Sequence, residues 1–170
     1  MSESYKFRLQ EYNREKNYWF RTDKSIEICV SFVPYKKDFG LDEKVKKSIY
    51  KISLSTITED VKLDLKIRNT VAEIFFHFFN TFNCCAIYIT AVFDGRQDGR
   101  NRKFMSWQTK FNEDGYEMIN DTYELVETGK PVYFSIIFPP KYKYKDEVLN
   151  RYDKIIEQYK EMRRINNQQE

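Results

Sequence analysis

IRNTVAEIFFHFFNTF, residues Ile67–Phe82, is the stretch on which the fold turns. Ile67, Val71, Ile74, Phe75, Phe78, Phe79 and Phe82 recur at intervals of three and four, the period of one helix face. Ala72 favours a helix, and no Gly or Pro interrupts the run. Just upstream, Val61, Leu63, Leu65 and Ile67 alternate with Lys62, Asp64, Lys66 and Arg68, a strand-like pattern that leaves the first turn open. The spacing predicts a helix with its body over residues 62–81. No other segment carries as many large apolar side chains, so this helix should be the main core element, packed on a sheet.

Strands are legible on both sides of it. Ile26, Ile28, Val30 and Phe32 alternate with Glu27, Cys29 and Ser31, and with Tyr18–Phe20 they read as a hairpin turned at Thr22–Ser25. Pro34 ends that strand. Residues 36–47 read as a polar surface loop, and Tyr50–Thr56 as a third strand. Cys84–Phe93 is a continuous apolar run, the pattern of a buried central strand. Phe104, Trp107, Gln108 and Phe111 place a helix over Arg100–Phe111, which Gly115 breaks. Glu117–Leu125 and Val132–Phe138 read as strands, separated by a turn at Thr128–Pro131. Asp146–Arg164 reads as a final helix on which Val148, Tyr152, Ile155, Tyr159 and Met162 form a stripe. That stripe either docks on its own domain or makes a homodimer seam through Val148, Tyr152, Ile155 and Tyr159. The expectation is one α+β domain over residues 1–170: a mostly antiparallel sheet, a long amphipathic helix on one face and a C-terminal helix. Residues 1–14 and 165–170 are expected to fray.

Composition narrows the function classes. In 170 residues, 29 basic and 26 acidic side chains leave a net charge of +3, too balanced to mark a dedicated nucleic-acid binder. No stretch approaches the roughly 18 apolar residues of a membrane span. Met1–Arg8 has no apolar core of a secretory signal, which points to the cytoplasm. Cys29, Cys84 and Cys85 suit neither a disulfide framework nor a zinc knuckle, and buried reduced thiols are expected. His77, the only histidine, sits among Phe75, Phe76, Phe78 and Phe79, where a satisfied residue beside the core is expected. No sequence pattern calls for a cofactor or a metal.

One segment invites chemistry. Asp94-Gly95-Arg96-Gln97-Asp98-Gly99-Arg100-Asn101-Arg102-Lys103 follows the central strand and opens a helix. Its glycines let a ligand approach the backbone, a helix start offers free N–H groups, and guanidinium groups pair with phosphate or carboxylate. Arg96, Gly99, Arg100, Arg102 and Lys103 are therefore the candidate anion site, for nucleic acid or an acidic protein surface. The same charges could instead be neutralised within the fold by Glu113, Asp114, Glu117, Asp121, Glu124 and Glu127. Arg96–Asn101 also compares with the acetyltransferase turn Arg/Gln-x-x-Gly-x-Gly/Ala that holds a cofactor pyrophosphate, departing from it at Asn101. Asp64-Leu65-Lys66 resembles half of a metal-nuclease motif. Tyr142 and Tyr144, interleaved with Lys141, Lys143 and Lys145, could contact a polyanion.

Three blocks carry a resemblance to a known family. They are Trp19-Phe20-Arg21-Thr22-Asp23 into Ile26–Phe32, then Ile67-Arg68-Asn69-Thr70 into Phe78-Phe79. The third and most specific is Asp94-Gly95-Arg96-Gln97 through Arg100-Asn101-Arg102-Lys103-Phe104 to Trp107. Over most of residues 15–140 the chain resembles small uncharacterised Bacteroidota proteins classed as a domain of unknown function. The resemblance implies no reaction. It implies by analogy a toxin–antitoxin or phage-defence setting. A non-enzymatic binding protein for an anionic partner is the leading expectation, and an acyltransferase-like or nuclease-like enzyme using residues 94–103 is the alternative.

Overall fold

A computed structural model describes residues 3–38, 40–56, 65–90, 95–124 and 128–157. Seven strands form one sheet in the order β1-β2-β3-β4-β5-β7-β6. The strands are β1 (Phe7–Tyr12), β2 (Glu15–Arg21), β3 (Glu27–Pro34), β4 (Ile49–Thr56), β5 (Cys85–Ile89), β6 (Glu117–Glu124) and β7 (Pro131–Phe138). The helices are α1 (Glu43–Lys46), α2 (Leu65–Thr81), α3 (Gln97–Glu113) and α4 (Lys145–Leu149). All neighbouring strands are antiparallel except β4 and β5. That one parallel pair needs a crossover, and α2 supplies it.

The hairpin closes as its residues require. The Thr22 N–H donates to the Ile26 carbonyl at 2.9 Å, and the Ile26 N–H donates to Thr22 Oγ1 at 3.1 Å. Gly115 ends α3 with φ +77°, a conformation that side chains rarely adopt.

Period-2 alternation sends Tyr18, Phe20, Ile28, Val30, Phe32 and Ile52 to one face of the sheet, where all are buried. There α2 lays down Ile67, Val71, Ile74, Phe75, Phe78 and Phe79. Phe78 stacks on Phe32 with ring centroids 3.6 Å apart and planes within 8°, and Phe75 meets Phe32 edge-on at 5.6 Å. α3 adds Phe104 and Trp107 to the same core. His77 lies at its rim. Its Nδ1 is 3.0 Å from the Tyr18 hydroxyl, and its ring meets Phe7 edge-on, so the expected satisfied histidine is present.

A second core occupies the opposite face under β4, β5 and β7. Ile49, Cys85, Ile87, Phe134, Ile136 and Phe138 are covered by Val45 of α1 and by Tyr142, Val148, Ile155 and Ile156. Cys84 and Cys85, adjacent in sequence, point into the two different cores. All three cysteines are free and buried, and burial pushes the Cys85 thiol up to about 12.

Two expectations change. Residues 3–12 are tied down rather than frayed. β1 pairs with β2 along its length, and the Tyr5 N–H donates to Thr70 Oγ1 of α2 at 2.7 Å. Phe7 and Leu9 also pack against the core, an apolar anchor hidden in a polar stretch. The final helix is not continuous from Asp146. The Arg151 N–H bonds back three residues to Val148, which tightens the chain between α4 and helical residues 152–157. Val148 and Ile155, the presumed dimer seam, are fully buried in the chain's own core. Tyr152 packs edge-on against Phe134 at 5.9 Å, and Tyr159 lies outside the described residues.

Phe78→Ala removes the ring that seats α2 and should cost about 3–5 kcal/mol in urea unfolding, whereas Tyr12→Ala, 70% exposed, should change stability by less than about 0.5 kcal/mol. At pH 8 the native protein should leave all three thiols unreacted with a disulfide reagent, and urea should expose them together.

Candidate anion-binding site

The basic segment lies where α3 leaves the carboxyl end of β5. Gly95 makes that turn with φ +71°, and nothing lies within 4 Å of where its Cβ would be, so the backbone conformation is what requires glycine. The Arg100 N–H bonds to the Arg96 carbonyl at 3.1 Å, which makes Arg96 the residue that leads into the helix and places Gly99 in its first turn. Gly99 also has open space beside it, so internal packing does not demand it.

Phe104 and Trp107 fix how α3 is turned. Phe104 stacks on Tyr88 of β5 at 3.8 Å, and both residues are buried. With 3.6 residues per turn, Arg96, Arg100 and Lys103 fall on one stripe at i, i+4 and i+7. Arg102 leaves the opposite side, beside Asp98 one turn earlier. The four cations therefore do not converge on one point. Arg96, Arg102 and Lys103 are exposed and Arg100 is half-buried. Arg100 lies close enough to Tyr88 for its charge to favour the phenolate, yet burial dominates and raises that phenol to about 12. On the Arg102 side, the Tyr133 hydroxyl donates to the Asp98 carboxylate at 2.6 Å, and that bond raises the Tyr133 pKa.

The acidic strand has its own partners. Glu117 of β6 pairs with Lys145, and the Tyr152 hydroxyl donates to Asp121 at 3.3 Å. These two carboxylates hold the C-terminal segment on the sheet, and burial with the Asp121 charge raises the Tyr152 pKa. Residues 125–127 lie outside the described residues.

Two groups that the sequence pattern did not single out stand at the starts of the helices. Gln97, the first residue of α3, is only 4% exposed, and its Oε1 has no hydrogen-bond partner. Arg68, in the first turn of α2, has a buried Nε without a partner. Burial of a polar atom at a helix start is their only signal, and it is invisible without coordinates. Both helices start at the end of the sheet where β4 and β5 part: their pairing runs only from Ile49–Cys85 to Lys51–Ile87, while β4 continues to Thr56.

The other candidates resolve differently. Lys66 of the nuclease-like triplet pairs with Asp23 at 3.3 Å and sits 4.3 Å above the Tyr5 ring, so it secures the N-terminal segment; Asp64 is outside the described residues. No group of metal-binding side chains occurs among the described residues. Tyr142 is a buried core residue whose hydroxyl lies 2.7 Å from Ser48 Oγ, and Tyr144 packs beside it, so the Lys-Tyr repeat is a strap and not a stacking ladder.

The chain is thus a mixed-sheet α+β protein with one parallel crossover, through α2, and a basic start to α3, the helix that follows it. It belongs to the Family of unknown function (DUF6169), whose model matches residues 63–154, more than half of its length. The match includes α2, β5, α3 and the basic segment. No curated protein and no solved structure matches the chain.

Gln97→Leu keeps the volume and removes the orphaned acceptor. It should raise the stability of the free protein by about 1 kcal/mol in urea unfolding, with an unchanged denaturant slope.

Proposed function

We propose that the protein is a non-enzymatic binding protein that recognises an anionic partner, nucleic acid or an acidic protein surface, at the start of α3. Arg96, Arg100 and Lys103 supply the charges that meet the partner, Gly99 keeps the first turn open to it, and Arg102 adds a flanking charge. The observation that carries the reading is the single stripe these three cations make where α3 leaves the carboxyl end of β5. The helix start adds N–H groups and the positive end of its dipole. A cytoplasmic setting, in a toxin–antitoxin or phage-defence locus of a Bacteroidota cell, accompanies the proposal on the resemblance alone.

A second reading, an acyltransferase-like enzyme, is favoured by the parting of β4 from β5. That reading seats a cofactor pyrophosphate at Arg96–Asn101, and Asn101 weighs against it because a side chain stands where the acetyltransferase turn has Gly or Ala.

A DNA duplex at low salt tests the first reading. The logarithm of the binding constant should fall linearly with the logarithm of salt concentration, and Arg100→Ala with Lys103→Ala should lower that slope by about 2. Equal affinity and slope in the wild type and the double variant would remove the reading. A thermal shift with acetyl coenzyme A and none with the duplex would favour the enzyme.

A further inference from the structure

The sheet has a second surface, on the side away from α2 and α3. Strand register lines up two rows of side chains across β1–β4. Arg8, Trp19, Cys29 and Ser55 stand in one row, and Gln10, Asn17, Ser31 and Ser53 in the next. With strands about 4.8 Å apart, each row is about 14 Å long. The covering elements of the opposite half, α1 and the C-terminal segment, pack on β4, β5 and β7.

These rows do not have the chemistry of a core. Arg8, Gln10, Ser53 and Ser55 are exposed, and Cys29 and Ser31 form a low floor between taller neighbours. The floor is internally bonded: Ser31 Oγ donates to Asn17 Oδ1 at 2.5 Å and lies 3.3 Å from Cys29 Sγ. Trp19 stands half-buried beside Cys29 and opposite Arg8, with its indole N–H turned inward, buried and without a hydrogen-bond partner, so what it offers at the surface is the exposed part of its ring. In the flanking rows stand Arg21, 4.0 Å from Glu27, and Lys51, opposite Val33, and the charge of Glu15 is felt at Cys29.

We infer that this face of β1–β4 binds single-stranded nucleic acid, with Trp19 as the stacking platform. An indole presents a π-face to any base, serine hydroxyls and side-chain amides bond to base edges, and Arg8, Arg21 and Lys51 neutralise phosphates. A duplex would keep its base faces from Trp19, and an apolar peptide would find only Trp19 and Tyr12 beside a polar floor. The surface lies across the sheet from the α3 stripe and is independent of it.

The protein has two tryptophans, Trp19 and the buried Trp107, so intrinsic fluorescence reports on the site. The probe is an oligothymidylate of about twelve nucleotides, within the range that one such surface covers. It should quench the emission of Trp107→Phe and leave that of Trp19→Phe unchanged. Labelled probe should bind Trp19→Ala about tenfold more weakly. Ser53→Glu, at an exposed strand position that folding does not need, should weaken binding similarly, while Arg100→Ala with Lys103→Ala should leave the quench in place. No quench of Trp107→Phe at saturating probe, or equal affinity in Trp19→Ala, Ser53→Glu and wild type, overturns the inference. Binding lost only in the Arg100 and Lys103 variant overturns it as well and leaves the α3 reading standing.

Discussion

The stack of Phe78 on Phe32 is the contact from which the rest of the architecture follows. It seats α2 across β2–β4, and Phe75 and Phe79 extend the same aromatic layer toward α3. Rings of this size bury the most apolar surface per residue, and their offset and edge-on packing adds about 0.5–1.5 kcal/mol per pair. A helix held there fixes the direction in which the chain returns. β5 must enter beside β4 and parallel to it, so the starts of α2 and α3 come to one end of the sheet. The basic stripe, the buried Gln97 and Arg68, and the parting of β4 from β5 are all at that end for this reason.

The sheet is covered unevenly, and that unevenness divides structure from candidate function. On the face of β5 and β7 away from α2, the C-terminal segment is pinned by Val148 and Ile155 in the core and by Lys145–Glu117 and Tyr152–Asp121 at the rim. The rim pairs are exposed and contribute little individually, so the apolar side chains dominate. Of the stripe, Val148 and Ile155 are spent in this core and Tyr152 packs on Phe134. Among the described residues the segment covers β4 only at its Ile49 end, and the outward side chains of β1–β3 and the rest of β4 are mostly small or polar, with Trp19, Tyr12 and Val33 as the exceptions. An exposed half-sheet survives in water because alternation keeps its apolar residues on the α2 side.

Much of this was legible in the residues, and the misses have physical causes. The period of Ile67–Phe82 located α2 and its buried face, and the alternation around Val30 located the hairpin. The continuous apolar run at Cys84–Phe93 marks an interior strand, and β5 is found within it at Cys85–Ile89 with a core on both faces. β1 was missed because an edge strand needs only two inward residues, Phe7 and Leu9, and a polar outer row looks like a frayed terminus. The last helix was read through Asn150 and Arg151 because a local three-residue hydrogen bond leaves no trace in hydrophobic spacing. Tyr142 and Tyr144 looked like a ladder because alternation with lysine is the same whether the rings face solvent or core.

The basic segment shows what charge content conveys and what it does not. Arg96, Arg100, Arg102 and Lys103 form one cluster in sequence, yet a turn of 3.6 residues sends Arg102 away from the others. What fixes the division is apolar: Phe104 on Tyr88 sets the rotation of α3, and the rotation sets which charges share a side. Asp98 then faces Tyr133, so the carboxylate in the first turn lies on the Arg102 side and not on the stripe. Asp98 and Arg102 therefore share one side of α3 while Arg96, Arg100 and Lys103 share another, so the packing of Phe104, an apolar contact, decides how the charges of α3 are divided.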